Sequence, residues 1–174
     1  MRLACDDERV VPVIRTARLE LVSFSMPAIE ATLAGDLPKV EAELGASVPA
    51  DLNERLGGLF TMRLAQLRED PEGVPWLARA MVMPDGSGTR RMVGSIGFHA
   101  PPRDGVAEIG YHVEAEFRRR GLAVESVRAM LDWAADKGVH RIRASVSPGN
   151  AASLAVIAQF GFRRTGVQWD EEDG

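Results

Sequence analysis

The chain has 174 residues, and its content of 45% hydrophobic and 26% charged residues is ordinary for a single globular domain over residues 1–174. A formal net charge of −4 at pH 7 excludes a strongly basic surface, so we expect no nucleic-acid partner. No apolar stretch is long enough to span a bilayer, and the single cysteine, Cys5, excludes an internal disulfide framework. We therefore expect a cytoplasmic protein without a membrane partner.

The N-terminal part of the sequence predicts a loose start followed by a strand. Residues 1–9 are mostly polar and are expected to be disordered. Residues 16–21 are predicted to form the first main strand, because Leu19 and Leu21 alternate with charged residues that face outward.

Residues 26–72 have helical spacing. Short helices are predicted over 28–33 and 37–44, each followed by a glycine that suits a helix C-terminus. A longer helix begins at Asp51 or Asn53, either of which is a good N-cap. Its apolar residues line one helix face: Leu52, Leu56, Leu59, Phe60, Leu64 and Leu67. We expect this stripe to pack in the core, and a mobile flap over a substrate cleft is the functional alternative.

An antiparallel hairpin is predicted after this helical region. Its strands are 76–83 and 91–98, joined by a glycine-containing turn at 85–88. Gly94 and Gly97 mark a bulge or a close approach of another group to the backbone. Hairpins of this kind argue against a nucleotide-binding protein with a parallel sheet of repeated β-α units.

A strand over 106–113 leads through a basic turn into a helix over 122–137, which stops at Gly138. Residues 118–123 contain three consecutive arginines, the densest positive cluster in this acidic chain. The first N–H groups of a helix have no internal partner, and the helix dipole favours an anion there. Gly121 lets phosphate oxygens approach the main chain because it has no side chain. The segment predicts a site for a phosphate-bearing ligand, and a solvated basic turn is the alternative.

The rest of the chain predicts a strand, a helix and a second strand. The first strand covers 140–146, and Asn150 is a good N-cap for a helix over 151–160. Gly161 ends that helix, and Phe162 begins the final strand.

Four segments together resemble the GCN5-related N-acetyltransferase (GNAT) superfamily, most closely its ribosomal-protein-alanine N-acetyltransferase (RimJ/RimL-like) branch. They are Thr16-Ala-Arg-Leu-Glu-Leu21, Val93-Gly-Ser-Ile-Gly-Phe98, Glu108-Ile-Gly-Tyr-His-Val113 with Phe117-Arg-Arg-Arg-Gly-Leu-Ala123, and Asn150-Ala-Ala-Ser153 through Phe160-Gly-Phe162. The third segment is similar to the acetyl-CoA pyrophosphate motif R/Q-x-x-G-x-G/A. The resemblance covers about residues 12–168 and implies an α/β (α+β) fold. Its sheet would be mixed and mostly antiparallel, with splayed central strands flanked by helices.

The resemblance also implies acetyl-CoA (coenzyme A) as cofactor and direct transfer of the acetyl group to a primary amine. The amine would belong to a protein N-terminus or a small molecule, and its specificity would lie in the 26–72 region. The pantetheine arm would lie in the wedge between strands 106–113 and 140–146. The residues implied in cofactor binding are Val113, Arg118, Arg119, Arg120, Gly121, Leu122, Ala123, Asn150 and Ser153.

Two residues are implied in catalysis. Glu108 matches the family position that often deprotonates the amine through water, and a surface or substrate-orienting carboxylate is its alternative reading. Ser153 matches the position thought to interact with the cofactor sulfur, and a plain serine on the helix surface is its alternative reading. Relatives often have a tyrosine four residues later, where this chain has Ile157. His99 and His112 are expected to be structural, although His112 shares a strand face with Glu108 and could line the acceptor cleft. Core positions are expected for Trp76, Trp133 and Tyr111, and no Cys/His spacing predicts a metal site.

A non-catalytic acyl-CoA-binding or protein-interaction module with the same fold is the alternative function. It is favoured by the missing tyrosine and by the C-terminal sequence. Family members usually have a final strand after the segment corresponding to 167–169, whereas this chain ends in the acidic residues 170–174. A missing edge strand would invite pairing with a second copy, so a homodimer is one assembly that the sequence allows.

Overall fold

The computed structural model describes residues 11–166, which form a mixed sheet of six strands with five α-helices. The strands are β1 (Ile14–Arg15), β2 (Glu20–Ser23), β3 (Ala78–Pro84), β4 (Arg90–Phe98), β5 (Val106–Val113) and β6 (Arg141–Arg143). The helices are α1 (Met26–Leu33), α2 (Leu37–Leu44), α3 (Leu52–Glu69), α4 (Leu122–Asp136) and α5 (Ala151–Ala158). The predicted fold class is confirmed. The expected disordered start lies outside the described residues.

The strands lie in chain order across the sheet, from β1 to β6. Neighbours from β1 to β5 are antiparallel, as the hairpins predict, and a doubly wound parallel sheet is thereby excluded. Only β5 and β6 run parallel, and they pair from Val106 opposite Arg141 to Glu108 opposite Arg143. Beyond that point residues 109–113 of β5 pair only with β4. This opening, from Glu108 to the C-terminal end of β5, is called the wedge.

Both predictions for the glycines of β4 are confirmed. The β3–β4 register shifts at Val93, which has no partner in β3, so a bulge lies beside Gly94. A Cβ on Gly97 would collide with the carbonyl of Leu77, and one on Gly94 with the carbonyl of His112. The neighbouring strands can therefore approach β4 only because these side chains are absent.

The helices cover both faces of the sheet. On one face α1, α2 and α3 pack over a core in which Phe24 contacts Phe60 edge to face at 4.8 Å. The predicted stripe of α3 lies in this core, with Leu52, Phe60, Leu64 and Leu67 buried. On the other face α4 packs through Val127 and Met130. No helix in the described range 11–166 is long and apolar enough to cross a membrane.

Two strand predictions are wrong at their boundaries, and a third predicted strand is not formed over its described residues. The segment predicted as a strand over 16–21 contains the loop 16–19 of the β1–β2 hairpin, closed by the Thr16 N–H to Leu19 carbonyl bond of 2.9 Å. The strand predicted over 140–146 ends at Arg143, because the wedge leaves the following residues without a partner strand. Residues 162–166 form no strand, and the remainder of the predicted final strand lies outside the described residues.

Candidate active site

The basic turn forms a concave run of main-chain N–H groups at the start of α4. Arg119 and Gly121 have left-handed backbones, with φ of +60° and +75°. The first bond of α4 joins the Glu125 N–H to the Gly121 carbonyl at 3.0 Å. The N–H groups of Gly121 and of residues 122–124 have no acceptor within residues 11–166. Free N–H groups that alternate with left-handed residues form the type of concavity that binds anions in proteins.

The space in front of Gly121 is open to a ligand. A Cβ built on Gly121 would meet only the Nη2 atom of Arg18, at 3.5 Å. The free N–H groups and the positive end of the α4 dipole lie at this same turn. The residues present therefore fit a phosphate or pyrophosphate group.

The three arginines of the turn have different surroundings. The Nε atom of Arg118 donates to the carbonyl of Val113 at 2.9 Å, which ties the turn to the end of β5. The guanidinium of Arg120 lies over the ring of Phe117 at 5.3 Å. Arg119 is exposed at the tip. None of the three forms a salt bridge with a carboxylate of the described chain, so their charges are available to an anion.

A second layer behind the turn was missed by the sequence analysis. Glu125, in the first turn of α4, accepts hydrogen bonds from Thr16 Oγ1 at 2.6 Å and from Arg18 N at 2.8 Å. Its other oxygen accepts from Arg18 Nε at 2.7 Å, while Arg18 Nη1 donates to the Arg120 carbonyl at 2.9 Å. Burial alone raises the pKa of Glu125, but the bonds from Thr16 and Arg18 outweigh it, and the pKa is lowered. The sequence did contain a signal for this layer. Glu125 is an acidic residue in the first turn of a helix whose N-terminus is expected to bind an anion.

Glu108 lies at the closed end of the wedge. Its carboxylate accepts a hydrogen bond from Ser145 Oγ at 2.6 Å and lies 3.6 Å from His99 Nδ1. About a third of the side chain (32%) is exposed, so water can reach it. This carboxylate can take a proton through water from a ligand in the wedge.

The start of α5 forms the other wall of the wedge. Asn150 is the predicted N-cap, and its side-chain oxygen accepts from the Ser153 N–H at 3.0 Å. The hydroxyl of Tyr111, the only tyrosine of the chain, donates to the Ser153 carbonyl at 3.3 Å. Burial raises the pKa of Tyr111, so its hydroxyl stays protonated at neutral pH. The sequence analysis placed Tyr111 in the core and did not foresee this contact. No hydrogen bond within residues 11–166 joins Glu108 to Ser153.

The opposite side of β5 faces α3. Glu114 is buried and forms a two-pronged ion pair with Arg55 of α3. Burial lowers the pKa of the neighbouring His112, so its imidazole is neutral at pH 7. This ion pair links α3 to the C-terminal end of β5, the strand that forms one side of the wedge.

The same architecture occurs in known acetyltransferases. Residues 34–163 match the acetyltransferase (GNAT) domain, and the chain belongs to this family of N-acetyltransferases. The uncharacterized N-acetyltransferase YoaA of Bacillus subtilis is 27% identical over 90% of this chain and 85% of its own length.

Solved structures share the fold. A GNAT-family acetyltransferase from Bacillus anthracis superposes with a TM-score of 0.57 at 22% identity, over 89% of this chain and 86% of its own. Ribosomal-protein-S5-alanine acetyltransferase from Vibrio fischeri superposes with a TM-score of 0.56 at 17% identity, over 89% of this chain and 85% of its own. The microcin C7 self-immunity acetyltransferase MccE was solved with acetyl-CoA and AMP. It superposes with a TM-score of 0.57 at 13% identity, over 86% of this chain and 81% of its own. At these identities the likeness shows the fold alone.

Proposed function

We propose that the chain is an acetyl-CoA-dependent N-acetyltransferase that transfers the acetyl group directly to a primary amine. The observation that carries the proposal is the run of N–H groups at Gly121 and residues 122–124, which have no acceptor within residues 11–166, beside three arginines that have no carboxylate partner in that range. This is a site for a diphosphate, and it opens next to the wedge. Family membership and the acetyl-CoA bound to MccE support the choice of cofactor.

The residues of the turn would hold the cofactor. The N–H groups of Gly121, Leu122 and Ala123 would bind the pyrophosphate, with Arg118, Arg119 and Arg120 supplying charge. On the side away from β4, residues 109–113 of β5 have no partner strand within residues 11–166, so the pantetheine arm can add there near Val113 as a strand would. Asn150 and Ser153 would face the cofactor from the start of α5.

Acetyl-CoA would supply a thioester whose acetyl carbon an unprotonated amine can attack, with a thiolate as the leaving group. Glu108 takes the proton of the amine through water, because its carboxylate is reachable by solvent and Ser145 holds it at the closed end of the wedge. Ser153 offers a hydroxyl donor in the wedge, and Tyr111 holds the Ser153 main chain in place. A carboxylate poised at the wedge favours an enzyme over a non-catalytic binding module of the same fold.

The proposal also concerns the class of amine that accepts the acetyl group. The RimJ/RimL-like resemblance and the fold shared with an S5-alanine acetyltransferase support a protein N-terminus as acceptor. A small-molecule amine is the second candidate. The region 26–72 would select between them, since α3 faces the β5 strand of the wedge through Arg55 and Glu114.

The proposed function is tested by calorimetric titration of acetyl-CoA into the wild type and two variants. Gly121→Asp puts a carboxylate at the turn, beside the anion site, and we expect binding to weaken more than about 100-fold. Gly138→Asp is the matched control, because Gly138 ends the same helix with a similar φ of +86° and open space around it. S-acetylpantetheine, which lacks the diphosphate, should bind the wild type and Gly121→Asp equally.

Turnover of a panel of N-terminal peptides and small amines then separates the acceptor classes. Failure of the folded wild type to bind acetyl-CoA would overturn the acetyl-CoA dependence. Binding without turnover of any amine would favour the non-catalytic module.

A further inference from the structure

We infer that Arg18 and Glu125 form a clamp that orients the peptide unit between Arg120 and Gly121, so that the Gly121 N–H faces the phosphate site. Both residues are thereby positioning residues for the cofactor. The inference rests on the proposed function and extends it to a loop about a hundred residues away from the turn.

The geometry of the peptide unit carries the first step. A trans peptide is planar, and its C=O and N–H point in opposite directions. The structure has no cis peptide bond among the described residues. The Arg120 carbonyl points to Arg18, which donates to it through Nη1 at 2.9 Å. The N–H of Gly121 therefore points away from Arg18, and no protein group of the described chain accepts from it.

The peptide unit between Arg120 and Gly121 has an alternative orientation that would remove the Gly121 N–H from the phosphate site. Arg119 and Gly121 both have positive φ, which for the non-glycine Arg119 costs about 1 kcal/mol or more. A flip of the 120–121 peptide changes ψ of Arg120 and φ of Gly121, which glycine tolerates, and would turn the Gly121 N–H out of the site. The bond from Arg18 opposes the flip.

Glu125 fixes the guanidinium of Arg18. Its two oxygens accept from Arg18 Nε, from Arg18 N and from Thr16 Oγ1, at 2.6 to 2.8 Å. The Nη2 atom of Arg18 also lies 2.7 Å from Glu125. The planar fork of Arg18 thus contacts a carboxylate and a carbonyl at once, which an ammonium group cannot reproduce. Glu125 also places a negative charge beside the anion site, which disfavours phosphate binding. A role in positioning Arg18 accounts for a carboxylate at this place, whereas direct phosphate binding does not.

The test uses calorimetry with acetyl-CoA and S-acetylpantetheine on four variants of the full chain. For Arg18→Lys and Glu125→Gln we expect acetyl-CoA to bind about tenfold more weakly, as the loss of one charged hydrogen bond predicts. S-acetylpantetheine should bind as to the wild type, a split that general destabilisation would not produce. Arg15→Ala and Glu20→Gln, in the same hairpin, are matched controls that should leave both affinities unchanged.

Glu125→Gln is the most informative variant, because the two possible effects on acetyl-CoA affinity have opposite signs. Removal of a negative charge near a phosphate tightens binding if charge alone matters, whereas loss of the clamp weakens it. Tighter acetyl-CoA binding by Glu125→Gln, or wild-type affinity in Arg18→Lys, would overturn the clamp.

A ligand-free measurement keeps this inference separate from the proposed function. In nuclear magnetic resonance spectra we expect one sharp Gly121 amide signal in the wild type, and a shifted or broadened one in Arg18→Lys. An unchanged Gly121 signal would refute the clamp whether or not acetyl-CoA binds. Failure of the wild type to bind acetyl-CoA would refute the proposed function alone.

Discussion

The hydroxyl of Tyr111 in β5 donates a hydrogen bond to the main-chain carbonyl of Ser153 in α5, at 3.3 Å across the wedge. No residue of α5 is buried, so this bond ties the start of the helix to the sheet. The position of Ser153 therefore depends on a side chain from the opposite wall.

Tyr111→Phe is expected to loosen α5 while leaving the sheet intact. Loss of one hydrogen bond removes about 1 kcal/mol, so amides in α5 should exchange with deuterium about fivefold faster. The amides of α4 serve as the internal control. Equal exchange rates of α5 in both proteins would show that the bond does not hold the helix.

Glu108→Gln is expected to lower kcat/KM by about 100-fold, since an amide cannot take the proton of the amine. Acetyl-CoA affinity, measured by calorimetry, should stay unchanged because Glu108 lies away from the phosphate turn. Ser145→Ala is the control variant, because it removes the hydrogen bond to Glu108 and keeps the carboxylate. Activity of Glu108→Gln within twofold of the wild type would exclude Glu108 as the base.

The Arg55–Glu114 ion pair is expected to show strong coupling in a double-mutant cycle. Glu114 is 7% exposed, so Arg55→Met alone leaves a buried charge unpaired and should cost about 3 kcal/mol in the free energy of unfolding. The double variant with Glu114→Gln should recover part of that loss. Arg91 and Glu116 form an exposed pair and should couple by less than about 1 kcal/mol. Urea denaturation measures both cycles, and additive effects at Arg55 and Glu114 would contradict the prediction.

Glu125 predicts a loss of stability in acid. Its pKa is lower in the folded chain than its ordinary value of 4.5, so its carboxylate stabilises the fold above pH 4.5. That contribution is lost as the pH falls through the lowered pKa. Glu125→Gln should cost about 1–2 kcal/mol at pH 7, from the charged hydrogen bonds it removes, and less at pH 3. Urea unfolding at both pH values tests this, with the exposed Glu54→Gln as control. A cost that is equal at pH 7 and pH 3 would contradict the assignment.

Local signals explain what the sequence analysis predicted well. The α2 helix ends at Gly45 in the left-handed region, and Asn150 caps α5, because both signals lie within a few residues of the helix end. The bounds of β5 were correct for a similar reason, since β-branched and aromatic residues fill it between two turns.

Long-range contacts explain what it missed. Thr16 and Arg18 sit in an alternating pattern that favours a strand, but their side chains bind Glu125, which local spacing cannot show. The length of β6 depends on where β5 diverges from it, and the direction of the Tyr111 hydroxyl depends on the placement of α5. The roles of Glu108 and Ser153 remain predictions that kinetics must test.

The contact of Thr16 with Glu125 joins residues that are 109 positions apart. Closing so long a loop costs more entropy than forming a hairpin or a helix, so we expect this contact to form late in folding. A C-terminal fragment, or a chain still being synthesised, would contain the turn without the hairpin that braces it. Ligand binding at the turn would then report that this contact has formed, and it would protect the β1–β2 hairpin and the turn from proteolysis together.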